Sequence, residues 1–84
     1  MYDIIIESNA EKDLNSLESD IFHRITNKIK LLSSEPRPVG CRKLKTFENN
    51  WRIREGNYRI IYEIDDKQKQ VKIMRVRHRK VAYR

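Results

Sequence analysis

Three arginines lie close together in the stretch WRIREGNYRIIYEI, where they could bind an anion. Gly56-Asn57 separates two extended segments, and this pair predicts a two-residue hairpin turn of type I′ or II′. A turn of that length places residue 54 opposite residue 59 and residue 52 opposite residue 61. Because opposed and alternate residues share a face of a sheet, Arg52, Arg54 and Arg59 are predicted to point to the same side.

Phosphate binding is the chemistry that such a set of side chains favours. Like charges directly opposite each other destabilise a sheet, and Glu63 is the one carboxylate predicted on this face. Guanidinium groups match phosphate oxygens bidentately, so an anionic ligand would relieve the repulsion. The alternative is a set of solvated arginines that protect the sheet. The other face is predicted to be apolar and to pack in the core; it carries Trp51, Ile53, Tyr58, Ile60, Tyr62 and Ile64.

The net charge of +7 is concentrated in the later part of the chain. Residues 1–36 have a balance of −3 and residues 37–84 a balance of +10. This asymmetry indicates a polyanionic partner, most simply nucleic acid, although a solvated basic surface would give the same composition. Arg75, Arg77 and Arg79 alternate along the last predicted strand, so they join the arginine face if Met74 and Val76 point to the core.

Composition also excludes several classes of protein. The 84 residues fit one domain, 1–84, and no apolar run approaches the roughly 18 residues of a membrane helix. No basic-then-apolar signal segment follows Met1, and Cys41 as a single cysteine cannot close an intrachain disulfide, so we expect a cytoplasmic protein. No cluster of Cys, His or carboxylates has the spacing of metal ligands, and no metal is expected.

Two helices are predicted between the first strand and the basic half of the chain. YDIIIE (2–7) has the composition of a buried strand, and Ser8 with Glu11 has the spacing of a capping box. A second helix is expected from Ser19 or Asp20 to about Ser34, before two prolines. The predicted core faces of the two helices comprise Ala10, Leu14 and Leu17, and Ile21, Phe22, Ile25, Ile29 and Leu32.

Extended segments make up the rest of the chain. They are predicted at 43–47, 51–55, 58–64 and 70–77, where β-branched or aromatic residues are bounded by turn residues. The expected fold is therefore α+β: an N-terminal strand, a helical hairpin and then three or four antiparallel strands. The helices would pack on one face of the sheet.

GNYRIIY at 56–62 and the pattern H-R-x-x-x-Y at 78–83 resemble the RelE/ParE superfamily of toxins from type II toxin–antitoxin systems. Element order, length and basic character agree, so the resemblance covers essentially the whole chain. It implies a single RelE-like toxin domain that forms a hetero-oligomer with a cognate RelB-like antitoxin encoded by a neighbouring gene. No cofactor and no membrane partner are implied.

Within that superfamily, the RelE branch consists of ribosome-dependent mRNA endonucleases. Residues of that branch are matched here by Arg52, Arg54, Arg59, Arg79 and Tyr83. The resemblance thus implies catalysis by these five, with metal-independent attack of a 2′-OH on a phosphodiester of mRNA in the ribosomal A site. The arginines suit charge stabilisation, and Tyr83 would orient the 2′-OH or stack on a base. The basic side chains expected to bind the RNA are Lys43, Lys45, Arg75, Arg77 and His78.

One departure from the RelE pattern concerns proton transfer. Where well-known members have Lys-x-Lys, this chain has Arg52-x-Arg54, and an arginine effectively cannot lose its proton. An unambiguous general base is therefore missing, and the imidazole of His78 is a reserve acid or base.

Two other functions stay open from the sequence. The ParE branch shares the fold, targets DNA gyrase and lacks the nuclease residues, whereas a plain basic RNA-binding module would bind without cleaving. The full set of matching arginines and tyrosine favours the nuclease, because a protein that only binds gyrase does not need arginines converging on one sheet face.

Overall fold

A five-stranded sheet is the framework of residues 1–45 and 49–80, the part of the chain that the computed structural model describes. In chain order the elements are β1 (Asp3–Ile6), α1 (Ser8–Asn15), α2 (Ser19–Leu31), β2 (Arg42–Lys43), β3 (Asn50–Glu55), β4 (Tyr58–Asp65) and β5 (Gln70–His78). The strands lie side by side in the order β1-β5-β4-β3-β2, with β1 parallel to β5 and the other neighbours antiparallel. The predicted α+β fold is confirmed.

The hydrophobic core lies between the sheet and the helical hairpin. Burial of each large aliphatic side chain contributes about 1.5–3 kcal/mol, which holds the helices on the sheet. Leu17, Ile21 and Phe22 pack against the core while partly exposed, so the predicted helix faces are confirmed. Neither helix of the described chain is long and apolar enough to cross a membrane. The buried apolar residues are Ala10, Leu14, Ile25, Ile29, Leu32, Ile53, Ile60, Tyr62, Ile64, Val71, Ile73 and Val76.

Both helices begin differently from the prediction. Ser8 is the first residue of α1, Glu7 is its N-cap, and no side-chain cap is formed, so the predicted capping box is wrong. The reason is that the amide of Glu7 donates to the carbonyl of Ile73 at 3.0 Å, which keeps Glu7 extended at the end of β1. Likewise Glu18, rather than Ser19 or Asp20, is the extended N-cap residue of α2.

Two predicted boundaries also change. Helix α2 ends at Leu31 rather than near Ser34, and the chain continues in turns in which Ser34 N donates to Leu31 O at 3.2 Å. The strand predicted at 43–47 is reduced to Arg42–Lys43 in β2, and its residues 46–47 lie outside the described residues.

The hairpin between β3 and β4 has the predicted register. Arg54 lies opposite Arg59, and position 52 lies opposite position 61. Gly56 has a φ of 59°, and the following Asn57 does not have a positive φ, which identifies the turn as type II′. The predicted apolar face of this hairpin is the one that packs in the core.

A β-bulge interrupts the pairing of β4 with β5. Ile61 pairs with Arg75 while Tyr62 pairs with Ile73, so Met74 is the extra residue. The bulge changes which alternate positions of β5 point to the core, because Ile73 and Val76 are both buried. Beyond the bulge, Arg77 is therefore placed on the same face as Arg59, its partner in the pairing.

Candidate functional site

A row of three arginines crosses the sheet beside the hairpin turn. Arg54 of β3, Arg59 of β4 and Arg77 of β5 are successive partners in the register of the three strands. Partners in antiparallel strands carry their side chains on the same face, with Cβ atoms about 4.5–5.5 Å apart. The row thus concentrates positive charge on the face of the sheet opposite to the helices.

A small cavity brings the end of this row together with the start of the C-terminal tail. It has a volume of about 80 Å³ and is lined by Arg54, Gly56, Tyr58, Arg59 and Arg79. Arg54 and Arg79 are exposed and Arg59 is half-buried, so the cavity opens to solvent between guanidinium groups. Three of the five predicted catalytic residues therefore line one site, and they come from two strands and the segment after β5.

Backbone geometry explains how Arg79 reaches the hairpin. The amide of Arg79 donates to the carbonyl of Asn57 at 2.7 Å, which continues the pairing of β4 with β5 for one residue beyond His78. The chain is thereby held against the turn at the point where Arg79 follows the strand.

Of the other two predicted catalytic residues, Arg52 alone is among the residues that the structure describes. Arg52 is 7 % exposed, lies opposite Ile61 and Arg42 in the sheet, and does not line the cavity. The hairpin register predicted that Arg52 lies on an open face of the sheet. Its side chain is instead buried, at a position two residues further from the turn than Arg54. Tyr83 lies outside the described residues.

The residues predicted to bind RNA do not form one surface. Lys43 and Lys45 are exposed at the β2 edge of the sheet, whereas Arg77 and His78 are half-buried at the end of β5. His78 points to the face opposite Arg77, because its partner in the pairing is Tyr58, and the two rings meet edge to face with centroids 5.3 Å apart.

Arg75 is engaged by an acidic residue that the sequence analysis did not single out. Its Nε lies 2.8 Å and its Nη2 3.1 Å from the two carboxylate oxygens of Asp13 in α1. In the register Arg75 lies opposite Ile61, at a position of the arginine face as expected, but its guanidinium is engaged by Asp13. The ion pair turns its side chain to the edge of β5, where β1 has already ended.

Asp13 also binds the backbone of β5. Its Oδ2 accepts the amide of Val76 at 2.9 Å and so supplies the acceptor that a neighbouring strand would provide. Burial opposes ionisation of the carboxyl, but the hydrogen bonds from Arg75 and Val76 outweigh it and lower the pKa of Asp13 below its ordinary value.

A second group of charges lies at the opposite end of β4. Arg37 pairs with Asp66 at 2.9 Å and stacks over Trp51 at 5.0 Å from the ring centroid, and Tyr2 donates to Asp66 at 2.6 Å. Hydrogen bonds from Arg37 and Tyr2 lower the pKa of Asp66 to about 2. Arg37 therefore connects the loop after α2 to the sheet.

The cavity lined by arginines can bind and stabilise a phosphate, but it offers few groups for proton transfer. Its described lining residues include no carboxylate and no imidazole, and Tyr58 contributes the one hydroxyl-bearing side chain among them. No three His, Cys, Asp or Glu side chains within residues 1–45 and 49–80 are grouped as metal ligands. The site is thus suited to a reaction that depends on charge stabilisation.

Sequence reasoning missed Tyr58 and Asp13 as residues of this region. The hairpin register assigned Tyr58 to the core face, and its contact with His78 depends on the pairing of β4 with β5, which the sequence did not determine. Asp13 lies 62 residues from Arg75 along the chain, and its position on the polar side of a short helix gave no signal.

The chain matches the family of the ParE toxin of type II toxin–antitoxin systems over residues 4–83. It is similar to Toxin RelG of Mycobacterium tuberculosis, with 33 % identity over 84 residues, covering 99 % of this chain and 97 % of that protein.

Two solved toxin–antitoxin complexes contain a similar chain. That of RelBE2 from Mycobacterium tuberculosis is 31 % identical with a TM-score of 0.81, covering 92 % of this chain and 96 % of the other. That of the archaeal RelE–RelB complex from Pyrococcus horikoshii is 30 % identical with a TM-score of 0.83, covering 96 % and 98 %.

Proposed function

This chain belongs to the ParE toxin family of type II toxin–antitoxin systems, and we propose that as a toxin it is an mRNA endonuclease that acts on translating ribosomes. The observation that carries the proposal is the cavity at which Arg54, Arg59 and Arg79 converge. Three guanidinium groups of like charge beside an exposed cavity are best explained by an anionic ligand. A phosphodiester of the message is the ligand that the RelE-like resemblance implies.

The proposed reaction is attack by a ribose 2′-OH on the adjacent phosphorus. The new P–O2′ bond forms as the P–O5′ bond breaks, which leaves a 2′,3′-cyclic phosphate and a free 5′-OH. Arg54 and Arg59 stabilise the extra negative charge of the pentacoordinate phosphate, and Arg79 stabilises the leaving 5′-oxygen. In this proposal Tyr83 orients the 2′-OH, as the resemblance implies.

The base that removes the 2′-OH proton is not among the arginines; since the cavity opens to solvent, water takes this proton and gives one to the leaving 5′-oxygen in the proposed step. Because these side chains stay protonated, the proposal assigns them charge stabilisation and positioning alone. The reaction also requires the attacking 2′-oxygen, the phosphorus and the leaving 5′-oxygen to lie in line. Binding of the message in the ribosome would hold them in this geometry.

We further propose a RelB-like antitoxin, encoded by a neighbouring gene, as the partner that keeps this toxin inactive in a hetero-oligomer. The support is that the solved complexes from Mycobacterium tuberculosis and Pyrococcus horikoshii pair a chain of this fold with an antitoxin. The ribosome and its message are the proposed targets, and the cytoplasm is the corresponding location.

Inhibition of DNA gyrase is the competing function, because the family that this chain matches is that of the ParE toxin. Such a toxin would bind a protein and cut no RNA. The cavity lined by three arginines favours the nuclease, since repulsion between Arg54 and Arg59 is difficult to explain in a protein-binding surface.

Induced expression of the toxin followed by primer extension on a translated message tests the proposal. The wild-type chain should produce codon-spaced cuts, and Arg59→Ala should produce none while keeping its circular-dichroism spectrum. Arg24→Ala, an exposed arginine of α2 on the helical side, is the matched control and should cut like the wild type. Growth arrest with DNA damage and no cuts would refute the nuclease and support the gyrase inhibitor.

A further inference from the structure

Arg79 follows β5 at a point where the sheet gives it little support. Strand β4 begins at Tyr58, the partner of His78, so β5 has no neighbouring strand on that side beyond His78. On its other side, β1 pairs with residues 70–73 alone. A chain that simply continued along the strand direction would leave the hairpin behind at about 3.3 Å per residue.

Two contacts of His78 turn the chain instead. Its Nδ1 accepts the amide of Lys80 at 3.3 Å, a bond from a side chain to the backbone two residues later, as in an Asx turn. Its ring meets that of Tyr58 edge to face, with an interplanar angle of 81°. Tyr58 is in turn packed against the core, so the ring of His78 contacts a residue that the core holds in place.

These contacts surround the backbone bond that brings Arg79 to the hairpin. Asn57 O accepts Arg79 N at 2.7 Å, with the Tyr58–His78 ring pair immediately before it and the His78–Lys80 bond immediately after it. The cavity lined by Arg54 and Arg59 also includes Arg79. His78 itself does not line the cavity, and its paired partner places it on the face away from the arginine row.

We propose that His78 is a positioning residue that acts through Arg79: its ring contact with Tyr58 and its acceptor bond from Lys80 hold Arg79 at the arginine cavity. This inference rests on the proposed function for its catalytic consequence. It also replaces the sequence-based expectations that His78 binds RNA or transfers a proton.

Paired substitutions separate the two contacts. His78→Asn keeps an acceptor at the place of Nδ1 and removes the ring, whereas His78→Phe keeps the ring and removes the acceptor. Amide hydrogen exchange of the free protein, followed by NMR, reports the turn directly. Lys80 should exchange as in the wild type in His78→Asn and about fivefold faster in His78→Phe, the effect of one lost hydrogen bond of ordinary strength. Equal exchange in the two variants would overturn the inference.

Single-turnover cleavage on programmed ribosomes then tests the path through Arg79. Arg79→Ala should slow cleavage about a hundredfold, and His78→Ala should slow it by a factor between ten and a hundred, of the order expected when one charge-stabilising group is lost or misplaced. The double variant should be no slower than Arg79→Ala, because a residue that acts through another adds nothing once that other is gone.

Several results would overturn the proposal. Additive losses in the double variant would show that His78 acts on the substrate by itself, and full activity in His78→Ala would show that neither contact is needed to hold Arg79. If His78→Ala does not fold, the Asn and Phe variants supply both measurements. Absence of cleavage by the wild-type protein would refute the proposed function alone, since amide exchange does not depend on RNA.

Discussion

Removing the carboxylate of Asp13 should destabilise the protein through the edge of β5. In the folded chain this side chain is 17 % exposed and accepts three N–H groups, two from Arg75 and one from Val76. Asp13→Ala leaves the amide of Val76 without its acceptor and Arg75 without its ion-pair partner. The two losses are separable, because Arg75→Ala removes the ion pair and leaves the bond to the amide in place.

The expected cost follows from these contacts. A hydrogen bond from a backbone amide to a charged group contributes about 1.5–3 kcal/mol, and the edge of β5 allows some rehydration, which favours the lower end. The side chain of Arg75 is 36 % exposed, so its ion pair is screened by solvent and contributes about 0.5–1 kcal/mol. We therefore expect Asp13→Ala to lower the free energy of unfolding by about 2–3 kcal/mol, and Arg75→Ala by about 0.5–1 kcal/mol.

Urea unfolding followed by the fluorescence of Trp51 measures both costs, and a thermal melt of Asp13→Ala should lie roughly 10–20 °C below the wild type. The dependence on pH has a definite sign. Since folding lowers the pKa of Asp13, its contribution is complete above about pH 4 and is lost as the pH falls through the lower, folded value. The difference in the free energy of unfolding between wild type and Asp13→Ala should thus persist at pH 5 and become smaller below pH 4.

An equal loss of stability in Arg75→Ala and Asp13→Ala would refute this account, because the ion pair rather than the edge bond would then dominate. Amide exchange provides the independent check. The amide of Val76 should exchange faster in Asp13→Ala and remain protected in Arg75→Ala.

Three further changes test the site and the core. Arg54→Ala should raise the free energy of unfolding by about 0.5 kcal/mol, because it removes the like charge opposite Arg59, and it should slow cleavage about a hundredfold. A lower stability of this variant in urea unfolding would contradict the expected gain in stability. Arg54→Lys keeps the charge and adds a group that can lose a proton, so single-turnover cleavage should persist and accelerate between about pH 7 and 9; inactivity equal to that of Arg54→Ala would show that the guanidinium geometry is required. Tyr62→Phe should lower the free energy of unfolding by about 1 kcal/mol, because the carbonyl of Pro36 loses its 2.7 Å donor; an unchanged urea midpoint would show that the bond contributes nothing net.

The sequence predicted the hairpin well because its determinants are local. A two-residue turn at Gly56-Asn57 and alternation of apolar side chains fix the register, and with it the pairing of Arg54 with Arg59. Arg79 was assigned to the site by resemblance to a family pattern and not by the register, and it lines the cavity with Arg54 and Arg59.

Features that depend on distant parts of the chain were not predictable in this way. The capping box at Ser8 failed because a bond to Ile73 in β5 extends Glu7, and the bulge at Met74 has no local signature in the sequence. The ion pair of Asp13 with Arg75 likewise joins residues that no periodicity relates. Burial of Arg52 shows that alternation assigns a face to a side chain without saying whether that face is covered.

The parallel pairing of β1 with β5 has a consequence for synthesis of the protein. Asp3 pairs with Gln70 and Ile6 with Ile73. Strand β1 is synthesised first, but it cannot join the sheet until β5, the last strand, has been synthesised. Such non-local pairing gives a high contact order and slow folding. On the ribosome, the nascent chain therefore completes its sheet only as the segment that carries Arg77 and Arg79 emerges. The fold and the arginine cavity are completed together, which leaves no long-lived partial chain that carries an assembled site.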